Sequence, residues 1–140
     1  MINYEKLAEM AVDAKKQAYS PYSNFKVGAA LLAKNGEIYV GCNIESASYT
    51  PTICAERVAL YKAVSEGERE FVAIAVAGSM EGNDVNYCYP CGVCRQSLRE
   101  FVTGVEDLTV IIAKTAKDYR IHTLSELFPH SFGPSDLQST

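Results

Sequence analysis

Two short cysteine motifs constrain this chain more than anything else in it. Cys54-Ala55-Glu56 comes first, and Pro90-Cys91-Gly92-Val93-Cys94 opens 34 residues after that Glu. Together they offer three thiol ligands and one carboxylate to spare. A zinc site that only holds a fold closes all four positions with protein atoms, whereas a catalytic one keeps three protein ligands and leaves the fourth open. Three Cys with a spare Glu therefore read as an open site with its own proton carrier. Any fold for this chain must bring the two motifs together. Phe71 to Ala77, between them, is a continuous apolar run of the kind that forms a strand buried on both faces.

Spacing within each motif sets the local geometry. Cys91 and Cys94 stand three apart, so on a helix they share one face and can grip one ion. Cys54 and Glu56 are two apart and would point to nearly opposite sides of a helix. The conflict eases if Cys54 lies in the first turn with its thiolate directed along the axis. Two helix N-termini then meet at the metal, and their positive dipole ends favour thiolates.

Elsewhere, hydrophobic periodicity and turn residues predict the elements. Leu7, Met10, Ala11, Ala14 and Ala18 recur at helical spacing, with Asn3 as a cap and Pro21 beyond the end. Residues 25–44 read as a β-hairpin around Lys34-Asn35-Gly36-Glu37. A helix is predicted from Thr52 or Ile53 to Glu66, stopped by Gly67, and Gly78 to Tyr89 reads as a loop. A second motif helix follows from Cys91 to Val102, with Pro90 in its first turn and Gly104 at its exit. Leu108 to Ala113 is another apolar strand, Tyr119 to His122 a short edge strand, and Ser125 to Phe128 a last helical turn. Such alternation argues for an α/β sandwich with a mixed sheet.

At 140 residues the chain makes one domain, spanning 1–140, with a polar tail loosely held from about Gly133. A net charge of -4, with the basic residues spread out, offers no broad surface for a phosphate backbone, so no nucleic-acid partner is expected. No apolar run approaches the ~20 residues that span a bilayer, and Met1-Ile2-Asn3-Tyr4-Glu5-Lys6 lacks the apolar core of a signal peptide. The expectation is a cytoplasmic protein with no membrane partner. Five cysteines, an odd number, suit metal ligands and buried thiols in a reducing compartment better than a disulfide framework.

The cysteine pattern resembles the C-x-E…P-C-x-x-C signature of zinc-dependent nucleoside and nucleobase deaminases. Roughly the whole chain is similar to the small cytidine deaminases. The resemblance rests on Tyr19-Ser20-Pro21-Tyr22-Ser23, Phe25-Lys26-Val27-Gly28-Ala29-Ala30, Gly41-Cys42-Asn43-Ile44-Glu45, Cys54-Ala55-Glu56-Arg57 and Pro90-Cys91-Gly92-Val93-Cys94-Arg95-Gln96. Glu126-Leu127-Phe128-Pro129 and Ser131-Phe132 match more loosely. It implies an α/β/α sandwich, one Zn²⁺ per chain, and hydrolytic deamination of cytidine and deoxycytidine to uridine and deoxyuridine in pyrimidine salvage. It further implies Cys54, Cys91 and Cys94 as ligands, Glu56 as the catalytic proton carrier, and Arg57 hydrogen-bonded to the ligand thiolates. Phe25 would lie against the nucleoside, Asn43 and Glu45 on the ribose hydroxyls, and the Ala55 N–H on the base 2-carbonyl. Tyr49 and Phe132 would reach a neighbouring subunit's pocket in a homotetramer with shared active sites. One departure stands out. Tyr89 occupies a place where the family commonly has a small residue, and the tyrosines of Tyr87-Cys88-Tyr89 would reshape the pocket rim and with it the substrate range.

The chemistry asked of these residues is consistent. Deamination puts water oxygen on C4 of the pyrimidine, a proton on N3 and another on the departing ammonia. Zinc acidifies water toward a pKa of ~7, and Glu56 would carry the protons. Three thiolates leave Zn²⁺ with net negative charge, so Arg57 drawing charge from sulfur would restore Lewis acidity. Glu45 beside the sugar would repel a 5′-phosphate. The rival readings are a deaminase of a related aminopyrimidine nucleoside and a closed structural Cys₄ site that recruits Cys88. An enzyme predicts that Cys88 is a free thiol.

Overall fold

A computed structural model describes residues 1–83, 86–103 and 106–138. Helix α1 (Tyr4–Ala14) continues as a 3-10 turn over Lys15–Gln17. Asn3 caps it as expected, its side chain accepting from Lys6 N at 3.0 Å. Strands β1 (Phe25–Ala33) and β2 (Ile38–Cys42) form the predicted hairpin, and Gly36 takes the left-handed turn position at φ +96°. Helix α2 (Ala55–Ser65) starts later than predicted because Cys54 is its N-cap, in extended backbone. Strand β3 (Phe71–Met80) runs three residues past its predicted end, since β1 pairs with it through Phe25–Met80.

Helix α3 (Gly92–Arg99) is shorter than predicted. Cys91 is its N-cap, so Pro90 stands one residue outside the helix and not in its first turn. After Arg99 the chain tightens, with Phe101 N and Val102 N bonding three residues back to Leu98 O and Arg99 O. The predicted exit at Gly104 lies outside the described residues. Strands β4 (Thr109–Thr115) and β5 (Asp118–Thr123) follow, then α4 (Leu124–Leu127), which opens with a Thr123/Glu126 capping box. Beyond Gly133 the chain makes one 3-10 turn, Pro134–Leu137, with Gly133 N donating to the Asp136 carboxylate at 2.8 Å.

The sheet order is β2-β1-β3-β4-β5, with β3 and β4 parallel and the other pairs antiparallel. Helix α1 covers one face, where Leu7, Ala8 and Ala11 meet Ala30, Ala73, Ala75, Ala77 and Ala113. On the other face α2, α3 and α4 pack Ala59, Leu60, Leu98 and Leu124 against Leu31, Ile74, Val76, Val110 and Ile112. The result is the expected α/β/α sandwich with a mixed sheet. Leu60, Ile74 and Ile112 are fully buried, and each contributes roughly 1.5–3 kcal/mol by leaving water. At Gly41 a Cβ would fall 2.5 Å from Ala55 O, so only glycine lets the first turn of α2 rest on β2. The start of β1 and the ends of β2 and β3 share one end of the sheet. Helices α2 and α3 present their N-termini there.

Candidate active site

Cys54 and Cys91 cap α2 and α3, and Cys94 sits in the first turn of α3. An N-cap side chain lies over the helix end, so Cys54 is freed from the side-by-side conflict with Glu56. Cys54 Sγ lies 3.7 Å from Cys91 Sγ, which lies 3.5 Å from Cys94 Sγ, and all three sulfurs fall within 4.8 Å of one another. A tetrahedral zinc with Zn–S near 2.3 Å holds its sulfurs about 3.8 Å apart. The cluster fits that ion with shifts of an ångström or less. Cys94 is buried while Cys91 is exposed, which leaves one side of the cluster open.

The charges around the sulfurs are arranged for a thiolate. A hydrogen bond with Cys94, aided by Arg57 and Cys91, pulls the Cys54 thiol down to about 5. The same hydrogen bond and burial raise Cys94. Arg57 Nη2 donates to Cys54 Sγ at 3.5 Å, and that bond raises the pKa of the guanidinium. Glu56, two residues into the same region, is only 3% exposed, and its Oε1 has no hydrogen-bond partner. Burial, with the Cys54 charge adding, pushes its carboxyl up to about 7. A buried carboxyl with one oxygen unpartnered, poised near neutrality beside three convergent thiols, is an arrangement for moving protons.

Cys88 is outside this group. Its Sγ packs over Gly78 of β3, 2.7 Å from where a Cβ would stand, and the Phe25 ring closes the same space. Burial raises the Cys88 thiol to about 11. Among the described residues the metal-ligating cluster comprises Cys54, Cys91 and Cys94.

The other predicted site residues gather at the same end of the sheet or project from it. Phe25 opens β1 and is half-buried. Asn43 is buried and clamps β1: its Oδ1 accepts from Val27 N, and its Nδ2 donates to Phe25 O, both at 2.8 Å. Strand β2 ends at Cys42, but isolated bridges from Ile44 to Tyr19 and Ile53 keep the next residues extended. Asn43 and Glu45 thus both reach toward residues 22–27. Glu45 Oε1 accepts from Tyr22 N and Ser23 N at 3.0 and 3.1 Å, and Oε2 accepts from the Ser23 hydroxyl. The Ser23 hydroxyl, more than any other partner, holds this carboxyl below its ordinary pKa, so it is ionised at neutral pH. Ala55 is fully buried at the first position of α2, where backbone N–H groups have no acceptor within the helix. Tyr49, at φ +66°, and Phe132 are 72% and 56% exposed.

The sequence matches the family described as the cytidine and deoxycytidylate deaminase zinc-binding region over residues 1–112. A cytidine deaminase of Sporosarcina psychrophila is 46% identical over 136 residues, covering 97% of this chain and 96% of the relative. The crystal structure of cytidine deaminase from Burkholderia pseudomallei superposes with a TM-score of 0.82 at 43% identity, over 94% of this chain and all of that one. That from Mycobacterium tuberculosis gives 0.79 at 35% identity, over 95% and 99%.

The chain belongs to the cytidine and deoxycytidylate deaminase family. Against that background two features of this member escape a linear reading. Arg95 ties the loop before Cys91 to α4, with Nε donating to Pro90 O at 2.7 Å and Nη1 to Leu127 O. Tyr87 and Tyr89, the bulky residues before the second motif, turn sideways. Tyr87 Oη donates to Asp118 Oδ1, and Tyr89 Oη sits 3.1 Å from His122 Nε2, so both rings lean onto β5. In the sequence Arg95 is visible only as part of the second motif, and the tyrosines only as bulk beside it.

Proposed function

We propose that this chain hydrolyses the 4-amino group of cytidine and deoxycytidine, giving uridine or deoxyuridine and ammonia, with one zinc ion held by Cys54, Cys91 and Cys94. The observation that carries the reading is Glu56 Oε1, buried without a partner beside the three sulfurs. Bound there, zinc would supply the Lewis acidity that makes water a nucleophile near neutral pH. Glu56 would take a proton from the attacking water, deliver it to ring N3, and return a second to the departing amine. Arg57, bonded to Cys54 Sγ, draws charge from the sulfur and so protects that acidity.

Phe25 gives the base an aromatic wall, and the Ala55 N–H meets the 2-carbonyl. Asn43 and Glu45 take the ribose. Asn43 spends one Nδ2 hydrogen on Phe25 O, leaving the second for a hydroxyl. The ionised Glu45 disfavours a 5′-phosphate, so nucleosides are preferred to their monophosphates. The exposure of Tyr49 and Phe132 supports a homotetramer in which each reaches a neighbour's pocket. Free thiols at all five cysteines suit the reducing cytoplasm, where the reaction serves pyrimidine salvage. Among the described residues no helix is long and apolar enough to cross a membrane. The test couples metal analysis to ultraviolet absorbance. One zinc per chain with conversion of cytidine to uridine is expected, and zinc-loaded protein inert on both nucleosides would refute the proposal.

A further inference from the structure

Cys54 and Cys91 both cap helices, but the chain reaches them differently. The approach to Cys54 is fixed by backbone: Ile44 N donates to Ile53 O at 3.0 Å, and Ile53 N to Ile44 O at 2.9 Å. The approach to Cys91, residues 86–90, has no backbone–backbone hydrogen bond among the described residues. Side chains hold it instead: Arg95 Nε donates to Pro90 O, and two tyrosines seat the rest on β5. Tyr87 Oη bonds Asp118, and the Arg120 guanidinium lies 3.9 Å over the Tyr87 ring. Tyr89 Oη meets His122 Nε2 at 3.1 Å, with the two rings edge to face at 5.4 Å. Asp118, Arg120 and His122 alternate along β5, so they line one face of that edge strand. Glu126 Oε1 stands 3.2 Å from His122 Nδ1, with no hydrogen bond between them.

We propose that Tyr87 and Tyr89, seated on Asp118, Arg120 and His122 of β5, are positioning residues that hold Cys91 in register with Cys54 and Cys94 for the metal. The inference rests on the reading of Cys91 as a zinc ligand. Cys91 is the exposed member of the cluster, and with no ladder behind it, its sulfur is only as well placed as its loop. Pro90 itself is buried and accepts from Arg95 Nε. Freed from β5, however, residues 86–89 would have to be ordered when the metal binds, and that ordering entropy weakens affinity. The other face of β5 provides a control: Tyr119 stacks on Tyr4 of α1 at 6.3 Å.

The experiment is a zinc titration of metal-free protein against a competing chelator, with zinc alone as the probe. The double variant Tyr87→Phe/Tyr89→Phe keeps both rings and deletes both hydroxyls. Its zinc affinity should fall by about 10-fold or more, in the range of supporting-shell losses, while its far-ultraviolet dichroism stays that of the parent. His122→Ala should lose affinity similarly, and His122→Gln, which keeps a polar partner for Tyr89, should recover most of it. Tyr119→Ala should lower the melting temperature and leave zinc affinity within about twofold. Parental affinity in the double variant overturns the proposal, and so does an equal loss in Tyr119→Ala. Failure of the ligand reading is separate: it would show as stoichiometric zinc retained by Cys91→Ala.

Discussion

The two faces of the central sheet do different work. The buried centre of the face under α1 is mostly alanine, with Ala30, Ala73, Ala75, Ala77 and Ala113 against Ala8 and Ala11, and Leu7 and Ile111 as its larger side chains. Small side chains let helix and sheet approach closely, and nothing there carries chemistry. The face under α2 and α3 holds Leu31, Ile74, Val76, Val110 and Ile112, and the helices resting on it point their N-termini at one spot. Those helix ends supply all three thiols and Glu56. Both faces bury core, and the second also fixes the placement of the reactive groups. Variants on the first should change melting without changing metal content, and variants at the helix ends over the second should change metal content.

The largest effects belong to the sulfurs. Cys54→Ala, Cys91→Ala and Cys94→Ala should each lose zinc and activity together, read by metal analysis and cytidine turnover. Any one of them keeping stoichiometric zinc would move the ligand set and break the contrast between the faces. Glu56→Gln should keep fold and zinc and lose at least ~100-fold in turnover, since an amide cannot carry protons. Undiminished rates with zinc present would remove Glu56 from the reaction.

Ala75→Leu tests the opposite face. Overpacking against α1 should cost about 1–3 kcal/mol in urea unfolding, with one zinc per chain retained. A drop in zinc content in the folded variant would mean that the two faces are coupled. The smallest effect is expected from Cys88→Ser, which swaps sulfur for oxygen beside Gly78 and Phe25. It should hold one zinc and turn over cytidine within a few-fold of the parent. Loss of metal there would return Cys88 to the ligand set.

Much of this was legible along the chain. The apolar run from Phe71 announced the central strand, the Asn35-Gly36 pair announced the hairpin, and both cysteine motifs announced helix starts, because each signal is local. Boundaries were less legible. Cys54 and Cys91 are N-caps, so α2 and α3 begin one residue after them and Pro90 falls outside its helix. The seat of Tyr87 and Tyr89 on β5 was not legible, because each hydrogen bond spans more than thirty residues of chain and depends on the register of β4 against β5. Asn43 likewise offered no local hint that its amide would bind β1 at both Phe25 and Val27.

By itself, then, the sequence determined which groups were available: three thiols, one spare carboxylate and an arginine, at spacings that helix geometry converts into shared or neighbouring positions. Only the tertiary structure decided their state. Glu56 is an ordinary first-turn acid until burial beside a thiolate lifts its carboxyl to about 7. Cys88 and Cys91 are both thiols near one proline, and one is packed away over Gly78 while the other faces the open side of the cluster. Acidity and access depend on how much water the rest of the chain leaves around a group, and that is settled only when distant segments pack together.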